Sequence, residues 1–295
     1  MMHNNADKIL SIINYIEEHL TEKIDLDEIA NVVHYSKYHL HRMFTNIVGF
    51  TVHNYIQRRK LTEAAKLLVL SNRSIIDIAL LSGYKSQRSF TTAFKMLYKK
   101  SPNAFRECGE FYPLQLKFVL QNFETTLFPA RMMEIKIVSH DEIYLVGYMT
   151  DTKKGFGKID ECWTKLHKIK NSIPNKINGD FLIGINDYSD DFSYESERPR
   201  PVHYAAAEIS NFNNISKDMI TKVIPMNKYV VFTYRGKIQD HIYPVMKYIY
   251  KVWFSQSTSQ LNDYARYDLV RYGEIADDNG LSIIEVWIPI LSSNS

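Results

Sequence analysis

Tyr35-Ser36-Lys37-Tyr38-His39-Leu40-His41-Arg42-Met43-Phe44 decides the reading of this chain, because its pattern returns further along the sequence. Ser36, Leu40, Phe44, Thr51 and Tyr55 reappear fifty positions later as Ser86, Phe90, Phe94, Ser101 and Phe105. Ile29, Ala30 and Tyr35 match Ile78, Ala79 and Tyr84 at an offset of forty-nine, so one residue is inserted before Ser86. Each copy reads as a short amphipathic helix, a turn and a second helix. That is the plan of a helix-turn-helix, whose second helix enters the DNA major groove. Two copies on one chain can read two groove segments about 34 Å apart without a dimer.

The surrounding pattern is helical throughout. Apolar residues recur at helical spacing in Ile9-Ile12-Ile13-Ile16-Leu20, in Leu26-Ile29-Ala30-Val33 and in Leu40-Met43-Phe44-Ile47. A long helix is predicted over residues 51–70, and shorter ones over 75–81 and 87–97. A last helix opens at Ser101-Pro102, with the serine as cap and the proline at the first helical position. The buried stripe of the first reading helix leaves Tyr38, His41, Arg42 and Thr45 on the opposite face. In the second copy Gln87, Arg88, Thr91 and Thr92 are left outward. Arg pairs bidentately with guanine and Gln with adenine, while Tyr and Thr suit phosphate or the thymine methyl. Ser36 and Ser86 are predicted N-caps that bring backbone N–H groups to phosphate. Arg58, Arg59, Lys60 and Lys95 are the candidate phosphate-binding cations.

Charge agrees with this division. The 295 residues carry 36 Lys and Arg against 33 Asp and Glu, a net charge of +3. Residues 1–106 hold 15 of those bases and 9 of the acids, a surplus of six, which leaves the remainder at three negative. A basic first third fits a polyanion binder or a solvated helical surface, and the motif geometry favours the first. The chain length suggests two domains. The hydrophobic share of 45% without a membrane-length apolar run excludes a spanning helix. The opening residues lack the basic and apolar regions of a secretory signal, and Cys108 and Cys162 make no disulfide framework, so a cytoplasmic location is expected. Without a CxxC or HExxH pattern, the usual zinc and haem readings fall away, and neither metal nor cofactor is expected.

Together with Tyr55-Ile56-Gln57-Arg58-Arg59-Lys60-Leu61, Ser82-Gly83-Tyr84 and the closing Ser101-Pro102 and Phe105-Arg106, the repeated motif resembles the AraC/XylS DNA-binding domain over about residues 7–106. The spacing is most similar to the Mar/Sox/Rob type, with the DNA-binding domain at the N-terminus. The resemblance implies base contacts from Tyr38, His41, Arg42, Gln87, Arg88 and Thr91. His41 stands where relatives often have Gln, Tyr38 where some have Trp and Thr92 where some have Arg. The relatives' target sequence is therefore not carried over. The implied partners are double-stranded promoter DNA and RNA polymerase, bound as a monomer or weak dimer, with activation as the expected sign.

Residues 107–132 alternate Leu114, Leu116, Phe118 and Leu120 with Gln115, Lys117 and Val119, the pattern of a strand or a packed extended linker. From Met133 the pattern turns to strands, at 134–140, 142–149, 181–186, 203–210, 229–234, 267–272 and 281–290. Helices interrupt at 157–170 and 240–254. A weaker repeat predicts two β-helix-β-β units forming an antiparallel sheet with helices on one side. The expected fold is thus multidomain: an all-α double helix-turn-helix domain at 1–106, the linker at 107–132, and an α+β domain at 133–295.

The run Ile283-Ile284-Glu285-Val286-Trp287-Ile288-Pro289-Ile290 puts Glu285 and Trp287 on one strand face. Glu285 is either a solvent-facing strand residue or a desolvated acid in an aromatic cleft, where a cationic ligand would restore its partner. Tyr144, Trp163, Tyr234, Trp253, Tyr272 and Trp287 can supply ring faces to a cation or pack as plain core. This run, with Tyr229–Gly236 and Tyr250-Lys251-Val252-Trp253, resembles the GyrI-like effector-binding domain over about residues 133–291. The resemblance implies a small hydrophobic, often cationic, effector around Glu285, with Asp268 where some relatives have a second acid. Some relatives are hydrolases and others bind proteins, so those two readings stay open beside that of a sensor.

Overall fold

The computed structural model describes residues 4–120, 132–177, 179–189, 192–197 and 199–291. It divides into two compact units, Met1–Phe123 with Trp253–Thr258, and Glu124–Val252 with Ser259–Ser295.

Side-chain caps set the helix starts of the first unit. Asn4 opens α1 (Asn5–Glu18) and Asp25 opens α2 (Leu26–Val32), each by a reciprocal capping box. Ser36 accepts the His39 N–H to open α3 (Lys37–Val48), and Thr51 accepts the Asn54 N–H to open α4 (Val52–Leu70). Ser74 caps α5 (Ile75–Leu81), and Ser86 accepts the Ser89 N–H at α6 (Gln87–Tyr98). Ser101 precedes Pro102 at the start of α7 (Pro102–Cys108). Every helix expected from the sequence of this unit is present.

The fifty-residue repeat extends to the backbone. His34 (φ 55°) and Gly83 (φ 79°) hold the left-handed turn before each reading helix. The next residue in each copy donates its N–H back into the preceding helix, Tyr35 to the Ala30 carbonyl at 2.9 Å and Tyr84 to the Ala79 carbonyl at 3.0 Å. Gly49 (φ 92°) and Lys99 (φ 58°) end α3 and α6 in the same conformation. Lys99 adopts it without glycine's freedom, at a cost of about 1 kcal/mol. In both copies a ring of the reading helix meets a ring of the following helix edge-on, Phe44 against Tyr55 at 5.7 Å and Phe94 against Phe105 at 5.4 Å.

Residues 109–120 form no strand, which leaves the packed extended segment of the two readings of their alternation. Leu116 and Val119 are left 67% and 72% exposed. Polar atoms hold the segment against α4: the Arg59 Nη1 donates to the Gln115 carbonyl at 2.9 Å, and the Phe118 N–H donates to the Tyr55 hydroxyl at 3.0 Å. Tyr112 packs its ring on Tyr98 and Phe105. Polar side chains of α4, a donor at Arg59 and an acceptor at Tyr55, thus hold the path.

The second unit is an eight-stranded antiparallel sheet. Its strands are β1 (Met132–His140), β2 (Ile143–Asp151), β3 (Phe181–Asp187), β4 (Val202–Ile209), β5 (Ile220–Ile224), β6 (Asn227–Gly236), β7 (Tyr267–Ala276) and β8 (Ser282–Ile290). Their order is β1-β6-β8-β7-β3-β4-β2-β5. The short edge strand β5 was not expected; it carries Lys222 at its centre, a charge of the kind that blunts an edge. The helix α8 (Gly157–Ile169) packs Cys162 and Leu166 on Val146, Leu182, Ala205, Ala207 and Ile209, which defines a helix-covered face. The opposite face gathers Leu145, Ile183, Ile185, Ala206, Tyr229, Val231, Tyr267, Leu269 and Trp287. The helix expected at 240–254 divides into α9 (Tyr243–Tyr248), started by Pro244, and a π-helical turn at Ile249–Phe254.

Arg59 fastens α4 to α1. Its guanidinium meets Glu17 twice, Nε at 2.8 Å and Nη2 at 2.7 Å, and reaches Glu63 one turn along its own helix at 2.9 Å. The side chain is only 7% exposed. It is therefore an internal tie and not a phosphate contact. Removing one partner of such a pair strands the other's charge. Arg59→Ala is expected to cost about 3–5 kcal/mol in urea unfolding followed by circular dichroism. Arg59→Lys is expected to recover little of it, since an ammonium cannot reproduce the fork. A residue serving only phosphate would leave the unfolding midpoint unchanged.

Candidate nucleic-acid interface and effector site

α6 presents its polar face openly. Gln87, Arg88 and Ser89 are exposed, as are Thr92 and Lys95, and Thr91 is half-buried. The Thr92 hydroxyl donates to the Arg88 carbonyl at 3.0 Å. Between α4 and α6 runs a groove of about 600 Å³ whose lining includes Gln57, Arg58, Ser86, Arg88, Ser89 and Thr92. The Arg58 guanidinium lies over the Phe50 ring at 4.7 Å, and its Nε donates to the Gln115 side chain at 3.2 Å. Two guanidinium groups, hydroxyls and an amide along one groove form the donor set that phosphate and base edges require.

α3 differs from its counterpart. Tyr38 and His41 are 2% exposed and Arg42 7%, so the open face expected for these three base-reading candidates is not open in this structure. A helical wheel separates polar from apolar positions, but it carries no information about what lies over the polar side. Thr45 and Ser36 are half-buried. Lys60, expected at phosphate, donates instead to the Glu22 carbonyl at 2.6 Å, and burial pushes its ammonium below the usual lysine range.

In the sheet unit, strand pairing divides the effector candidates between two faces. Glu285 on β8 faces Arg271 on β7 in register, and Trp287 faces Leu269. The Trp287 indole N–H donates to Glu285 Oε2 at 2.9 Å. Arg271 lies 3.7 Å from Glu285 and 3.6 Å from Glu208 on β4. Its guanidinium is flanked by the rings of Phe181 at 4.9 Å and Trp287 at 5.4 Å. Glu285 is thus not the solitary acid expected from its apolar flanks. Arg271, Glu208 and Phe181 went unrecognised in the sequence because only register brings them to Glu285.

Tyr234, Asp268, Tyr272 and Trp163 belong to the helix-covered face. There Asp268, Asn186 and His203 lie side by side in register across β7, β3 and β4. Trp163 of α8 meets the Tyr272 ring at 5.3 Å, and both rings close over Gly184, where an added Cβ would lie 3.1 Å from each. Tyr144 is half-buried with its hydroxyl on Glu142, beside Phe212. Trp253 falls in the segment Trp253–Thr258 of the helical unit. Within the sheet unit the expected candidates divide into separate clusters, because the pleat sends alternate residues to opposite faces.

His203 is the titratable centre of the helix-covered face. Its Nε2 lies 3.2 Å from the Trp163 indole N–H, which can only donate, so Nε2 accepts and the ring is neutral. Nδ1 then carries the proton toward Asn186 Oδ1 at 2.8 Å. Burial lowers the imidazole from 6.5 to about 4. Between those values the unfolded chain takes up a proton that the folded ring refuses, so stability rises with pH across that window. Acidification from pH 6.5 to 4 is expected to remove up to about 3 kcal/mol through this group. His203→Gln is expected to flatten that part of the pH dependence when urea midpoints are followed by tryptophan fluorescence.

Residues 29–107 match the family described as a helix-turn-helix domain, and residues 136–290 match that of the integron-associated effector binding protein. The chain is 46% identical over 94 residues to the uncharacterized HTH-type transcriptional regulator YbfP of Bacillus subtilis, a match covering 32% of each chain. It is 44% identical over 100 residues to the probable transcription factor PqrA of Proteus vulgaris, covering 33% of this chain and 82% of that protein. To the transcriptional regulator Rob of Salmonella typhimurium it is 27% identical over 254 residues, covering 82% and 84%. The chain thus spans about a third of YbfP's length and most of Rob's. No described helix is long and apolar enough to cross a membrane. The chain belongs to the AraC/XylS family of Mar/Sox/Rob type through its N-terminal helix-turn-helix domain, and its C-terminal half to the integron-associated effector binding protein family.

Proposed function

We propose that this protein is a sequence-specific DNA-binding transcription regulator, an activator, whose sheet domain binds a hydrophobic cationic small molecule. The observation that carries the DNA reading is the open α6 face, with Gln87 and Arg88 beside the groove that Arg58 also lines. Thr91 and Thr92 extend the base-reading surface, and Ser86, Arg58 and Lys95 supply phosphate contacts. The partners are double-stranded promoter DNA and RNA polymerase, with the protein a monomer or weak dimer in the cytoplasm. The domains are 1–106 and 133–295, joined by 107–132. Two β-helix-β-β repeats build the second domain. The equal strand orders β2-β4-β3 and β6-β8-β7, joined where β3 pairs with β7, support that reading.

The effector site centres on Glu285 and Trp287. Two acids, Glu208 and Glu285, face one guanidinium there, so the cluster holds a net negative charge. A sensor is favoured over a hydrolase, since the contacts described for Glu285 are an arginine and an indole N–H, which form no nucleophile-base pair.

Arg88→Ala is expected to cost about 1–3 kcal/mol on a selected duplex and less on random DNA, measured by fluorescence anisotropy over a salt series. Lys95→Ala is expected to weaken both duplexes alike and lower the salt slope by about one. Equal losses on both duplexes for Arg88→Ala would remove it from base reading.

A further inference from the structure

We infer that Arg271 is a resident stand-in for the effector: its guanidinium occupies the place that a delocalised organic monocation takes. The inference rests on the effector reading of the Glu285 cluster and names what governs that site's specificity. A lipophilic cation asks for acids at its edge and ring faces on its sides. Arg271 has both, with Glu208 and Glu285 at 3.6 and 3.7 Å and the rings of Phe181 and Trp287 at 4.9 and 5.4 Å.

The hold on Arg271 is loose. A hydrogen-bonded guanidinium-carboxylate pair closes to about 2.7–2.9 Å, as Arg59 does with Glu17. Both contacts of Arg271 with its acids are well beyond that. Its Nε is buried with no hydrogen-bond partner among the described residues. Glu285, by contrast, is oriented by the Trp287 indole N–H at 2.9 Å and stays aimed when the guanidinium leaves. Side-chain exposures of 16% for Arg271, 12% for Glu208 and 17% for Glu285 leave the cluster in touch with solvent. A guanidinium is weakly hydrated and swings on a flexible stem, so it can yield to an incoming cation. One acid remains uncompensated while Arg271 is in place, and both become available once it moves.

The class selected is therefore a planar or ring-bearing monocation with spread charge, such as an amidinium. The experiment uses the full chain and an isosteric trio, 2-naphthamidinium, neutral 2-naphthamide and anionic 2-naphthoate, titrated by calorimetry. Wild type is expected to prefer the cation, Arg271→Gln to bind it at least tenfold more tightly, and Glu285→Gln to lose that preference. Arg271→Lys, which keeps the charge, is expected to stay within a few-fold of wild type; this controls for repacking. If Arg271→Gln binds the cation no better than wild type while Glu285→Gln still loses it, the stand-in role is overturned and the site reading survives. If wild type prefers naphthoate and Arg271→Gln abolishes that binding, Arg271 is an anion anchor and the inference fails. If none of the variants distinguishes the three compounds, the effector reading of this cluster falls, and the inference with it.

Discussion

The pairing of β3 with β7 is the constraint on which the sheet unit depends. It joins β2-β4-β3 to β6-β8-β7 and fixes the register in which Asn186 meets Asp268 and Ile183 meets Arg271. A slip of one residue there would turn the faces of one half over relative to the other, taking Arg271 off the face of Glu208 and putting it on the side that α8 covers. The slip is opposed on both sides at once. The helix-covered face has Gly184 beneath the rings of Trp163 and Tyr272, where a Cβ would crowd both. The opposite face needs Leu269, Ile183 and Ile185 in its apolar cluster. Register is thus held by packing, and the charged cluster inherits its geometry from packing that has no electrostatic purpose.

The helical unit solves a related problem by duplication. A short helix-turn-helix has too little core to stand alone, and here each copy leans its reading helix on the helix that follows it. The cations of α4 are placed differently from one another. Arg58 remains at the rim of the α4–α6 groove, whereas Arg59 and Lys60, adjacent in sequence, are turned inward to Glu17, Glu63 and the Glu22 carbonyl. Three consecutive basic residues on a helix point in three directions, about 100° apart, so a basic run contributes only part of its charge to any one surface. The net surplus of the first third therefore overstates the field that DNA would meet.

Much of this was legible in the sequence. The spacing of Ser36, Leu40 and Phe44, repeated at Ser86, Phe90 and Phe94, located both reading helices, and the caps that start them are local interactions a sequence can specify. The strands other than β5, and α8, were equally readable from alternation and amphipathic period. What escaped is non-local. Glu17 lies 42 residues from Arg59, and no local rule pairs them. Arg271 meets Glu285 only through the register of β7 and β8. Tyr38, His41 and Arg42 are polar by composition yet buried, and polarity alone does not report cover.

The same reasoning explains why Glu285 looked solitary. Its sequence neighbours, Ile283, Ile284, Val286 and Ile288, belong to one strand, and within a strand nothing lies beside a residue on its own face except positions two removed. Of those, Trp287 was recognised, and its indole N–H does orient the acid. The partners that set the charge come from β7 and β4, strands placed beside or near β8 by the topology. An acid embedded in apolar sequence is therefore a signal that a cation must come from elsewhere in the fold. In this chain the protein supplies one itself, held between two rings and short of hydrogen-bonding distance to either acid. An ion pair that loose contributes little to stability, so stability gives no reason to bury it.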